Sequence, residues 1–103
     1  MIVYEPAILH DWFIHFDSEH EFHVCYAIKY HYASDQFYYI RSGPILWLSE
    51  EEGRLVTPDM EYKIIQPLQD IEVQNMVLTL CDLLCVQSFG DETHICVAST
   101  QWH

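Results

Sequence analysis

Residues 21–33 alternate almost without a break. Phe22, Val24, Tyr26, Ile28, Tyr30 and Tyr32 take every second position, and Glu21, His23, Cys25, Ala27, Lys29, His31 and Ala33 fill the gaps. Successive side chains of an extended chain point to opposite faces, so this run predicts a strand with one buried and one wetter face. Upstream, residues 8–16 alternate less cleanly: Trp12, Ile14 and Phe16 fall on one side, Asp11, Phe13 and His15 on the other. The polar interval Asp17, Ser18, Glu19, His20 has hairpin length, and the two runs predict an antiparallel hairpin.

After a polar break at 33–36, Phe37, Tyr38, Tyr39 and Ile40 favour a further strand. Gly43 and Pro44 interrupt it, because proline has no backbone donor and glycine often marks a bulge. Ile45, Leu46, Trp47 and Leu48 resume it. Glu50, Glu51, Glu52 and Gly53 then form an acidic turn, and Arg54, Leu55 and Val56 a short strand. Two readings compete next. Thr57, Pro58 and Asp59 have the residues of a helix start, whereas residues 60–65 alternate as a strand does. Over 70–84 the period changes. Val73, Met76, Val77, Leu80 and Leu84 recur at spacings of three and four, and Asp70 can cap, which predicts a helix with those residues as its apolar face. A strand over 71–80 is the rival. Residues 84–89 and 94–99 flank Gly90, Asp91, Glu92 and Thr93 as a closing hairpin. The sum is a single domain spanning 1–103, of α+β class: an antiparallel β-meander sheet with one helix (about 70–84) packed on one face. An all-β half-barrel is the alternative.

The hydrophobic fraction of 50% and aromatic fraction of 15% set the chain apart from acidic disordered sequences, and 103 residues can bury a core. No apolar run approaches the roughly 18–20 residues of a membrane span. Residues 1–6 lack the basic start of a secretory leader, so the expectation is a cytoplasmic protein with no membrane partner. Cys25, Cys81 and Cys85 lie in apolar surroundings, and with Cys96 they read as reduced thiols rather than a disulfide framework.

Seven histidines and four cysteines raise the question of zinc. There is no C-x-x-C and no Cys pair matched to a His pair, so no metal and no cofactor are expected. His23 and Cys25, or His94 and Cys96, would share a strand face and could form a Cys–His nucleophilic pair. A negative field raises a thiol pKa and opposes that use. The paired carboxylates sit in turns, where they are normally solvated, and no nucleotide loop or nucleophile elbow is present. The expectation is that the protein is not an enzyme.

Charge changes the picture most. Sixteen acidic residues face four basic ones, for a net charge of −12. Such a surface repels nucleic acid and attracts basic proteins. The acids fall at 17–21, 50–52, 59–61, 70–72 and 91–92, with Tyr38, Tyr39, Trp47 and Trp102 as aromatic anchors. The candidate partner-binding set is Asp17, Glu19, Glu21, Tyr38, Tyr39, Glu50, Glu51, Glu52, Asp91 and Glu92. The function expected is a small acidic inhibitor that occludes a basic nuclease or nucleic-acid-binding complex. Phage counter-defence proteins, anti-CRISPR proteins among them, share this physical profile. The alternatives are an immunity protein neutralising a nuclease toxin, or a small metal- or ligand-binding protein using His and Cys.

Overall fold

The structure is a computed structural model that describes residues 7–31, 36–83 and 86–95. Among the described residues, the strands are β1 (Ala7–Asp17), β2 (Phe22–His31), β3 (Gln36–Arg41), β4 (Trp47–Ser49), β5 (Arg54–Val56), β6 (Glu61–Ile64), β7 (Val86–Phe89) and β8 (Glu92–Ile95), with one helix, α1 (Ile71–Leu83), between β6 and β7. All strands belong to one open sheet in the order β4-β5-β6-β1-β2-β3-β8-β7. The helix excludes the all-β alternative. Over 60–65 the strand prevails: Tyr62 and Ile64 turn inward between exposed Glu61 and Lys63. Thr57 serves a turn instead of a helix, its hydroxyl accepting from the Met60 amide at 3.1 Å.

The meander is antiparallel except at one seam. β6 lies parallel to β1, with Ala7 opposite Tyr62 and Leu9 opposite Ile64. The path explains this. β3 and β4 run in the same sense, because the segment between them bends without reversing. The Ser42 and Ile45 amides still bond to β2, at the carbonyls of Cys25 and His23, while the Leu46 amide already bonds to Val56 of β5. Four hairpin reversals therefore separate β1 from β6, and an even number leaves two strands parallel. Gly43 lies at the bend. A Cβ there would stand 2.5 Å from the Asp91 carboxyl carbon, so only glycine fits.

The sheet curls strongly. Tyr62 on β6 hydrogen-bonds Glu92 on β8, although β1, β2 and β3 lie between them in the sheet. The loop before β6 meets the turn before β8 as well, the Asp59 amide donating to Asp91 at 3.0 Å. A bulge in β1 assists. Two residues, Asp11 and Trp12, oppose one on β2, and Asp11 takes a left-handed φ of 49°. The bulge resets the alternation, which is why Leu9 and Trp12, three apart, both point into the concave core.

That concave core holds Leu9, Trp12, Cys25, Ala27, Ile40, Leu55, Tyr62 and Ile64. The convex face gathers Phe13, Val24, Tyr26 and Ile95 beneath α1. β2 is thus buried on both sides. Cys25 and Ala27, expected on the wetter face, are 0% exposed. The helix also departs from expectation. Asp70 caps it, accepting from the Glu72 and Val73 amides. It docks through Val77, Leu78 and Cys81, however, while Val73, Met76 and Leu80 face solvent. The connector fixes this rotation: Leu68 bonds Trp12 on β1, and the Gln74 side chain donates to the Leu68 carbonyl at 2.6 Å. Leu84 lies outside the described residues.

Candidate functional site

The ten residues expected to bind a partner do not form one patch. Asp17 closes the β1–β2 turn: Oδ1 accepts from the Glu19 and His20 amides, and Oδ2 sits 2.9 Å from His20 Nδ1. The His20 hydrogen bond holds the Asp17 carboxyl below its ordinary value, and Asp17 in turn raises His20. Glu19 and Glu21 are exposed there. Asp17, Glu19 and His20 carry donor atoms within 4.8 Å of one another. Their bonding is that of a turn and assigns no metal.

Three members of the set are drawn toward the two cores. Tyr38 and Tyr39 point to opposite faces, as neighbours on a strand must, and both are half-buried. Tyr38 packs against the concave core beside the His94 ring, 5.1 Å between centroids. Tyr39 packs under the helix, where its hydroxyl is buried with no hydrogen-bond partner among the described residues and burial pushes its pKa up. Glu92 is 1% exposed and cannot offer its carboxylate to another protein. Asp91 is half-buried and holds the Asp59 amide.

Glu92 belongs to a buried polar quartet assembled from three strands. Its Oε2 accepts from Lys29 Nζ of β2 at 2.7 Å and meets His94 Nε2 of β8, and its Oε1 accepts from the Tyr62 hydroxyl of β6 at 2.6 Å. Burial alone would push the carboxyl up. The hydrogen bonds from Lys29, Tyr62 and His94 outweigh it and hold Glu92 below its ordinary value. Burial, then the adjoining carboxylate, raises the Tyr62 hydroxyl far above the tyrosine range. Each Glu92 oxygen is engaged, so the quartet clasps the curled sheet from inside. Spacing could not have revealed it, since Lys29 and Tyr62 lie 63 and 30 residues from Glu92. The only local hint is that Glu92 and His94 share a strand face.

The Cys–His pairing also fails for residues 23 and 25. Cys25 is fully buried, its thiol pushed up to about 12 by burial, whereas exposed His23 lies against the Phe16 ring. Cys25 is a free thiol. Cys85, Cys96 and Trp102 lie outside the described residues.

Besides Glu19 and Glu21, the members of the set left on the surface lie along one edge of the sheet. β4 is an edge strand; Leu46, just before it, and Trp47, its first residue, are 64% and 43% exposed. Its turn into β5 carries exposed Glu50, Glu51 and Glu52, and Gly53 closes that turn at φ 66°. Arg54 lies under this edge, its guanidinium 5.4 Å from the Trp47 ring and paired with Glu61. Lys29 is taken up by Glu92. Two of the four cationic side chains are therefore matched to carboxylates, and Arg54 also feels the charge of Glu52 at the tip.

No protein-family model, no curated protein and no solved structure matches the chain. Among the described residues, no helix is long and apolar enough to cross a membrane.

Proposed function

We propose that this protein is a small acidic inhibitor that binds a basic nuclease or nucleic-acid-binding protein and occludes the surface that holds phosphates, in the manner of phage counter-defence proteins. The observation that carries the reading is the β4 edge: an exposed Trp47 beside Leu46, continuous with the carboxylates of Glu50, Glu51 and Glu52. An aromatic anchor supplies affinity at an interface core, and surrounding carboxylates steer a cationic partner into place. Glu50, Glu51 and Glu52 would pair with Lys and Arg side chains that otherwise grip the nucleic-acid backbone.

Affinity capture from a bacterial lysate at low and high salt, followed by mass spectrometry and kinetics on the purified pair, tests this. A basic nuclease or nucleic-acid-handling protein is expected at low salt and lost at high salt. Replacing Glu50, Glu51 and Glu52 together by Gln should slow association about tenfold, and Trp47→Ala should cost about 2 kcal/mol, read as faster dissociation. Retention that ignores salt and both substitutions would sink the proposal.

A further inference from the structure

The exposed side of α1 carries an apolar stripe beside the polar Glu72, Asn75 and Thr79. Val73, Met76 and Leu80 are 38%, 61% and 51% exposed. At about 100° per residue they fall within an arc of roughly 60°, a stripe about 10 Å long. The helix does not turn this stripe to the core, because Val77, Leu78 and Cys81 already fill the convex face. Exposed large apolar side chains in a row, unlike single ones, mark a contact surface.

Charge selects the occupant. Glu72 borders the stripe on the helix, Asp70 caps it, and no Lys or Arg occurs after Lys63. A second copy would bring one chain of −12 against another. An anionic membrane surface is repelled for the same reason. We propose that the stripe is a second docking surface, and that it takes an amphipathic segment of a protein partner with an apolar face flanked by Lys and Arg. The stripe lies on the convex face and β4 on the edge of the sheet, so this surface is separate from the one proposed above. It shares with that reading only the sign of the partner's charge.

The probe is a synthetic leucine–lysine peptide of amphipathic helical pattern, with a control of the same composition in shuffled order. Binding is followed by titration calorimetry to wild type, to Met76→Gln/Leu80→Gln, and to the variant with Glu50, Glu51 and Glu52 all replaced by Gln. Circular dichroism and thermal melts confirm folding; both helix positions are solvent-exposed, so the fold should persist. The amphipathic peptide should bind wild type at least about tenfold tighter than the shuffled one. It should lose about tenfold on Met76→Gln/Leu80→Gln, the equivalent of losing roughly one buried apolar side chain. The loss should be smaller when the β4–β5 tip is neutralised, which separates this surface from the edge. Equal binding to wild type and Met76→Gln/Leu80→Gln, a larger loss at the tip than at the helix, or no binding at all would overturn the proposal. Self-association of the wild type abolished by Met76→Gln/Leu80→Gln would overturn it too, in favour of a second copy.

Discussion

Glu92 is a charge taken into the concave core, and the protein tolerates it because Lys29, Tyr62 and His94 complete its hydrogen bonds. Removing one partner strands the charge. Lys29→Met is expected to destabilise by about 3–5 kcal/mol, whereas Lys29→Met/Glu92→Leu should recover most of that loss, since the pair leaves together. Tyr62→Phe removes one donor and should cost about 1–2 kcal/mol. Urea denaturation of the variants decides; a double variant as unstable as Lys29→Met would contradict the clasp. The same site predicts an acid limit. Glu92 has a folded pKa below its ordinary value of 4.5, so the native state binds its proton less readily than the unfolded chain does. Its contribution is present above that value and is lost as pH falls through the folded pKa. The stability of wild type should therefore fall more steeply below pH 4.5 than that of Glu92→Gln, measured by denaturation at successive pH values. Nothing near Glu92 in the chain announces this role. Its neighbours Gly90 and Asp91 are turn residues, and two of its three partners come from β2 and β6.

At the scale of elements, period-two runs located β1 and β2, strand-favouring residue types located β3, and spacings of three and four located α1. Which faces they bury was not legible. Alternation distinguishes two sides of a strand but not a wet side from a second core, and β2 has a core on each side. The stripe of Val73, Met76 and Leu80 has the right period for a packed helix, yet the connector through Leu68 rotates α1 so that Cys81 and Leu78 dock instead. The break at Gly43 and Pro44 was visible, but not its purpose: the Asp91 side chain occupies the space where a Cβ would go. Gly43→Ala should displace Asp91 from the Asp59 amide and destabilise the protein by about 1–3 kcal/mol. Gly43→Ala/Asp91→Ala, which removes the clash, should be less harmful than the sum of the two single changes in thermal melts.

Over the whole molecule, acidic residues stand at the turns before and after β5 and after β1, and the turns of Asp59 and Asp91 meet. A net charge of −12 then acts as a long-range field. Apolar side chains surface beside acids at Phe16, at Trp47 and on α1, and the docking surfaces proposed above use the last two. Composition alone pointed to a basic partner. Where that partner sits depends on which aromatics escape burial: Tyr38 and Tyr39 do not, and Trp47 does. The parallel seam has a further consequence, in time rather than in space. β1 meets β2 across a short turn, whereas Leu9 meets Ile64 only after 55 intervening steps of chain. Closing so long a loop costs entropy before any contact repays it. The hairpin is expected to form early and the β1–β6 seam late. In native-state hydrogen exchange, the amides of β6 should accordingly open at lower free energy than those at the centre of β2, so the sheet uncurls from the seam before the hairpin comes apart.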